Sequence, residues 1–538
     1  MNNLTRRNFI GLTGASAAAL GLAACGGGSS SSSSDSSSSA AGTEGGGTIT
    51  AGTAYSTQNY DPSSTSSALA CGTNWQVVEG LYGIDFHNYS TFNELASGDP
   101  TQVDDTTFEV TLRDGAKFSD GNAVTPEDVI ESYQRSSGKA ADWSGNIYTS
   151  MLAPIADIQK KDDKTLTITT SVPNFSLIKE RLAIIRVVPA SSTKDEMTKK
   201  PIGSGPWMYD TISDSSLELV PNPEYNGDHP AKDEKIHYDV LKDATARLTA
   251  EQEGSTLVME MVTADAVDTL TNLGCNIDKV QGFGTRFMMF DVAKAPWDNV
   301  KVRQAVMYAL DYDKMINNAF AGLAAAPTCY LPENFTNYHK ASTVYTHDPD
   351  KAKSLLSEAG VTPGAIQLRT TDNEQVVAMA TQVKEDLDAL GFTTTIVTDT
   401  SAATYAAIDS GDNTYDLLLA PGDPSCFGAD PDLLMNWWYG DNVWMKTRCP
   451  WETSAEWQQL SSLMSTAFTQ SGSEQQETWN KCFDLIAENC VLYPVLQVQT
   501  CTASWQDTSK APNGVAIKDF KGIGTTGLSF IDSVTVSA

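Results

Sequence analysis

Residues 112–129 read Leu112-Arg113-Asp114-Gly115-Ala116-Lys117-Phe118-Ser119-Asp120-Gly121-Asn122-Ala123-Val124-Thr125-Pro126-Glu127-Asp128-Val129. Just upstream, Thr106 to Leu112 alternates polar and apolar residues, the period of a half-buried strand. Arg113-Asp114-Gly115 is turn chemistry. Thr125-Pro126-Glu127-Asp128 then opens a helix. Threonine stands at the N-cap, proline at the first position, where its missing N–H is harmless, and an acid at N3. Lys164 to Ser171 alternates cleanly as a further strand. The block is a strand, a turn and a helix.

Towards the C-terminus the helices lengthen. From Asp298 onward, Val302, Ala305, Val306, Ala309 and Leu310 make an i, i+3, i+4, i+7 stripe. Asp348-Pro349 caps a second helix carrying Ala352, Leu355, Leu356 and Ala359, stopped by Gly360. A third runs from Glu374 to Leu390 with Val376, Val377, Ala380, Val383, Leu387 and Leu390 inward, and Gly391 ends it. A strand over Phe392–Val397, a short helix near Ala402–Ile408 and an apolar strand over Tyr415–Ala420 follow. Strands alternating with helices predict an α/β fold with a parallel or mixed sheet. Residues 285–500 read as one such lobe, and no tandem repeat is present.

Towards the N-terminus the pattern changes from folding to export. Thr5-Arg6-Arg7-Asn8-Phe9-Ile10 is positive and carries a twin-arginine pair, and a small-residue apolar run continues to Ala24. That run is too short and too rich in glycine to span a bilayer. It closes on Leu22-Ala23-Ala24-Cys25, which resembles the lipobox cut before a lipidated cysteine. Residues 1–24 are therefore expected to be a signal peptide with twin-arginine character, by either the Tat or the Sec route, and Cys25 the lipidation site. Residues 25–47, almost pure serine from Ser29 to Ser39 and closing on Gly45-Gly46-Gly47, have nothing to bury and predict a flexible tether. Nothing later approaches ~20 uninterrupted apolar residues.

Charge and cysteine content narrow the chemistry further. The net charge of −31 excludes general nucleic-acid binding, which needs a basic footprint. Besides Cys25, eight cysteines remain, an even number that in an exported chain suggests disulfides. Cys426 and Cys449 are the favoured pair, because both lie in one polar, loop-rich stretch. No CxxC occurs and the five histidines are scattered, so no metal site and no cofactor are expected. GxSxG, GxxxxGK[ST] and HExxH are all absent, and no enzyme is expected. Gly522-Ile523-Gly524-Thr525-Thr526-Gly527 matches GxGxxG, but no helix pattern follows it, so it reads as a turn between C-terminal strands.

Six ordered blocks carry a family resemblance. Leu112 to Gly121, running on through Thr125 to Val129, resembles the signature of the peptide/nickel type of extracellular solute-binding protein, the receptors of ABC importers. Pro201-Ile202-Gly203-Ser204-Gly205-Pro206-Trp207, Asn222-Pro223-Glu224-Tyr225-Asn226-Gly227 and Asp243-Ala244-Thr245-Ala246-Arg247 are similar to its next blocks. Pro296 to Ala305, followed by Ala309-Leu310-Asp311, and Asp348-Pro349-Asp350-Lys351-Ala352 complete the set. The resemblance covers essentially everything after Thr48.

The resemblance implies a two-lobed clamshell with mixed sheets and an extra subdomain. One lobe would comprise 48–284 plus 503–538, with 59–199 as the subdomain, and the other 285–502. The chain would cross between them near Thr285-Arg286-Phe287 and near Gln499 to Ser504. It further implies a monomeric receptor, anchored to the membrane by lipid, that passes a short peptide to a permease complex. In peptide-binding relatives an aspartate in Trp-x-Gly-Asp pairs with the peptide ammonium. Ala420-Pro421-Gly422-Asp423 is the matching stretch here, with alanine for tryptophan and an insertion before Asp430-Pro431-Asp432. Asp423 is the expected anchor and Asp430 its alternative, although both also suit loop caps. Asn74 and Trp75 fall in a stretch that lines the cleft in relatives, and Trp75 fits a core equally well. Trp437, Trp438 and Trp444 cluster near the anchor and suit either a pocket wall or the core. A metal chelate, an oligosaccharide or a small conjugate is the alternative cargo, and a surface adhesin the alternative role.

Overall fold

The alternation over Thr106–Leu112 forms the strand Thr107–Thr111, which pairs antiparallel with Thr165–Thr170. Phe108, Val110, Leu166 and Ile168 point inward, as their period of two requires. The helix Pro126–Ser136 begins where its capping chemistry sits. The Thr125 N–H and hydroxyl donate to the Asp128 carboxylate at 2.8 and 2.7 Å, and Asp128 also accepts from the Ala190 N–H at 2.8 Å. Its buried face, with Val129 and Tyr133, covers the four-stranded antiparallel sheet formed with Thr101–Gln102 and Ile155–Lys160.

The computed structural model describes residues 46–538 apart from 144–145, 147, 412–414, 526, 531–533 and 538. The signal segment, Cys25 and the tether as far as residue 45 lie outside the described residues. The Gly522–Gly527 match follows the strand Ala516–Lys518 and precedes Thr535–Ser537, and its described residues form no helix.

A mixed eleven-stranded sheet organises the rest. On one side Thr393–Asp399, Ala365–Thr371 and Leu417–Gly422 lie parallel, with the helices Glu374–Leu390 and Ser401–Asp409 in the connections. On the other side Val258–Met259, Thr48–Thr53 and Lys235–Val240 are parallel, and Ser216–Pro221 and Trp207–Ile212 continue the sheet antiparallel. Two long antiparallel strands, Asn276–Phe290 and Leu492–Ser504, join the sides. Their ladder is regular from Asn276↔Ser504 to Gln281↔Gln499, breaks, and resumes at Thr285↔Gln497. The break falls on Gly282-Phe283-Gly284. A Cβ on Gly282 would sit 1.4 Å from the Gly524 carbonyl oxygen, so only glycine lets the C-terminal segment cross there.

The helix Glu374–Leu390 ends in a left-handed Gly391 (φ 110°) as its sequence predicts. One residue of its predicted inner face is corrected. Val377 is 43% exposed, and Met379 packs inward beside Val376, Ala380 and Val383, because a 3.6-residue turn cannot bury both 376 and 377 here.

The signature blocks meet one another in space. Gly203 and Gly205 cross the end of the helix Ala68–Val77, where a Cβ would lie 1.9 Å from the Val77 carbonyl oxygen and 2.4 Å from that of Gln76. Arg113 donates to both Glu79 oxygens at 2.8 and 2.9 Å and to Asn226 Oδ1 at 3.1 Å. Lys117 reaches Glu224 at 2.7 Å. These blocks join the small sheet to the large one.

The buried acids set a pH dependence. Burial raises Glu79 to about 7, against the opposing pull of Arg113, and burial likewise raises Glu94, Glu251 and Glu260. An acid raised on folding binds its proton at pH values where the unfolded chain has released it, so stability falls as pH rises through the window from about 4.5 to 7. The melting temperature is expected to be higher at pH 5.5 than at pH 8, on the order of 5 °C. Scanning fluorimetry across that range checks it; a flat or opposite trend would show these acids to be ordinary.

Candidate ligand-binding cleft

Beside the break in the long ladder lies a cleft of about 590 Å³. Its floor is the sheet: Gly284 and Arg286 from one long strand, Val498 and Gln499 from the other, and Pro421-Gly422-Asp423 from the neighbouring strand. One wall comes from Tyr55 and from Ser66, Ser67 and Ala68 at the start of the helix Ala68–Val77. The opposite wall is aromatic, with Tyr405, Trp437, Trp438 and Trp444.

Asp423 lines this cleft at the end of the strand Leu417–Gly422. It caps the short 3₁₀ turn Pro424–Phe427, accepting from the Ser425 N–H at 3.0 Å and the Ser425 hydroxyl at 2.6 Å. Ser425 in turn accepts from the Tyr89 hydroxyl at 3.0 Å. Those two bonds fix the orientation of the carboxylate.

The aromatic wall is a packed cluster. Trp438 is fully buried, with ring centroids 5.4 Å from Phe287 and 5.7 Å from Phe283. Trp444 stands 5.5 Å from Tyr405, and Arg448, held bidentate by Asp409 at 2.8 Å, lies 4.4 and 4.5 Å over those two rings. Trp437 is partly exposed and stacks on Phe427 at 5.7 Å. Trp437, then, faces the cleft, while Trp438 and Trp444 are wall and core together.

Three other expected residues belong to the scaffold. Asp430 caps the helix Pro431–Tyr439 through the Leu433 N–H at 2.9 Å and accepts two hydrogen bonds from the buried Arg181 at 2.8 Å. Its charge is already matched. Asn74 donates to the Tyr60 carbonyl at 2.9 Å and accepts from Tyr209 at 2.9 Å inside the core. Trp75 donates to the Cys426 carbonyl at 3.2 Å while Arg186 stacks 3.9 Å over its ring. The expected Cys426–Cys449 pair is also corrected, for both are free thiols. Cys426 interacts with the Cys71 thiol, whereas Cys449 donates to the Val491 carbonyl at 3.6 Å.

Tyr55, Tyr405 and Arg286 line the cleft without having been singled out from sequence as ligand residues. Arg286 did carry a signal, as the lone charge in the apolar run Phe283–Phe290. Among the described residues no group of three or more histidine, cysteine or acidic side chains is placed to hold a metal. No helix of the described residues is long and apolar enough to cross a membrane.

Known proteins resemble most of this architecture. A probable D,D-dipeptide-binding periplasmic protein, DdpA of Escherichia coli K12, is 25% identical over 360 residues, which is 64% of this chain and 67% of that protein. Other curated relatives are matched over 61% of their length. The binding protein DppA of Helicobacter pylori, solved with the peptide STSA, superposes with a TM-score of 0.78 at 20% identity, covering 92% of this chain and 98% of that one. The binding protein AgaA of A. tumefaciens R10, solved with agropinic acid, gives 0.76 at 21% identity over 89% and 96%. Both are two-lobed folds. The model of bacterial extracellular solute-binding proteins, family 5, matches residues 92–446, well over half the chain, and the chain belongs to that family.

Proposed function

We propose that this chain is the lipid-anchored receptor of an ABC importer that captures short peptides and hands them to a membrane permease. Cys25 would carry the acyl chains and residues 25–47 the reach, since two or more chains hold a protein durably where one does not. Residues 48–284 with 503–538 would form one lobe, 59–199 its subdomain and 285–502 the other. The interrupted ladder at Gly282-Phe283-Gly284 would absorb the closing rotation. The receptor would work as a monomer and without a cofactor.

The observation that carries this reading is a single oriented carboxylate, Asp423, opening on a cleft with aromatic walls. A carboxylate gives an α-ammonium a directional, charge-assisted partner. Tryptophan and tyrosine faces accept side chains of many shapes. The D,D-dipeptide for which DdpA is named and the peptide STSA bound by DppA support it. The same aromatic wall favours a second reading, a non-peptide solute stacked on Trp437, as the agropinic acid bound by AgaA illustrates.

Mass spectrometry of protein freshly purified from membranes tests both halves of the proposal. Mild denaturation is expected to release di- to pentapeptides, and the N-terminal fragment to begin at Cys25 with added acyl mass. Release of a sugar conjugate or a chelate would move the function to the second reading. An N-terminus without acyl mass would remove the anchor. If nothing is released and neither mixed peptides nor oligosaccharides raise the melting temperature, the receptor reading fails.

A further inference from the structure

Arg286 is a buried cation with no carboxylate at salt-bridge distance among the described residues. It is 7% exposed and lines the cleft floor on the long strand Asn276–Phe290. One terminal nitrogen donates to the Thr285 carbonyl at 3.0 Å and the other to the Gln375 side-chain oxygen. Its Nε–H has no partner. An unpartnered Nε–H is shared by the buried Arg181, Arg186 and Arg247, so what sets Arg286 apart is its place. Arg181 and Arg186 hold carboxylates, and Arg247 and Arg303 donate to backbone carbonyls; of these five only Arg286 lines the cleft. Burying a guanidinium unpaired is costly, and a fold retains that cost where a ligand supplies the missing charge.

Two helix starts point the same way. The helix Glu374–Leu390 begins at the cleft, where Asn373 and Gln375 line it, and the helix Ala68–Val77 begins there too, with Ser67 making no side-chain capping bond. Each presents the positive end of its dipole. Against these stands one acid, Asp423. Arg286 pairs with Pro421 in the sheet register, so Asp423 lies two residues further on the same face, a diagonal neighbour at roughly 7–8 Å between backbones. Desolvation by burial holds the Arg286 guanidinium down at about 10, even with Tyr55 and Asp423 pulling it up.

We infer that the cargo of this cleft carries a carboxylate, bound by the Arg286 guanidinium beside the ammonium site at Asp423. This deepens the receptor reading proposed above and rests on it. A zwitterion, with its two charges held across neighbouring strands, fits better than a cation or a neutral sugar. Arg286 would then select for a free acid, because an amide or ester leaves the guanidinium buried and unpaired.

A melting-shift and calorimetry panel tests this with alanyl-phenylalanine, its C-terminal amide, longer peptides in free and amidated pairs, oligogalacturonates, and neutral maltooligosaccharides. Free acids are expected to bind at least tenfold tighter than their amides, and Arg286→Gln to erase that difference. Without ligand, Arg286→Gln is expected to melt at or above the wild type, because an unpaired buried charge has been removed. Arg286→Lys, which keeps the charge but loses the fork, should recover part of the preference and guards against a misfolded glutamine variant. If oligogalacturonates bind and peptides do not, the peptide reading fails while the carboxylate inference stands. Amides or neutral sugars binding as well as acids, an Arg286→Gln effect below threefold, or no acid in the panel binding would each overturn it.

Discussion

Replacing Arg181 by methionine is expected to destabilise the folded protein by about 3–5 kcal/mol at pH 8. Arg181 lies fully buried on the helix Ile178–Ile184 and donates to both oxygens of Asp430 at 2.8 Å and to Asp432 at 2.5 Å. Both acids are nearly as buried, at 8% and 3% side-chain exposure. Methionine fills the volume but leaves two carboxylates facing each other in a low dielectric. Burial already raises Asp432 to about 7 with the arginine in place. Without Arg181 the buried Asp432 is driven further towards its protonated form, so the penalty is larger at pH 8 than at pH 6. Urea denaturation at the two pH values measures it. A cost below 1 kcal/mol at both would mean that the cluster is solvated in solution. Converting Asp430 and Asp432 to leucine alongside Arg181→Met should restore most of the loss, because the apolar trio leaves no charge behind.

The same cluster shows what the sequence could and could not reveal. Thr125, Pro126 and Asp128 announced a helix start because all three act within one turn, and Gly391 announced a helix end for the same reason. Six ordered blocks announced the fold, and several of them meet where the small sheet joins the large one. The site was less legible because its residues are assigned by distant partners. Asp423 and Asp430 look alike locally, both being acids beside proline near a turn. What separates them is Arg181, 249 residues from Asp430 in sequence, which takes up one and not the other. Trp75 is committed by a carbonyl 351 residues away. Arg286 could be noticed as a lone charge in an apolar strand, but its lack of a carboxylate at salt-bridge distance exists only in three dimensions. Cysteine pairing failed in the same way: shared loop composition says nothing of whether two thiols face each other.

Asp423→Asn is expected to weaken binding of di- to pentapeptides by about two to three orders of magnitude, or about 3–4 kcal/mol. Asparagine keeps the shape and an oxygen to accept from the Ser425 N–H and hydroxyl, so the Pro424–Phe427 turn is preserved while the charge is removed. The unliganded melting temperature should therefore change by no more than about 2 °C, within the range of a neutral local change. Asp423→Ala removes the cap as well and should both loosen peptides and lower the melting temperature. The pair of variants thus separates an ammonium anchor from a loop cap. N-acetylated peptides, which lack the ammonium, should bind the wild type about as weakly as free peptides bind Asp423→Asn, and the two losses should not add. Full additivity would place the ammonium elsewhere in the cleft. Calorimetry showing Asp423→Asn within threefold of the wild type for every peptide would leave Asp423 as a turn cap and pass the anchoring of the cargo to Arg286 and the aromatic wall alone.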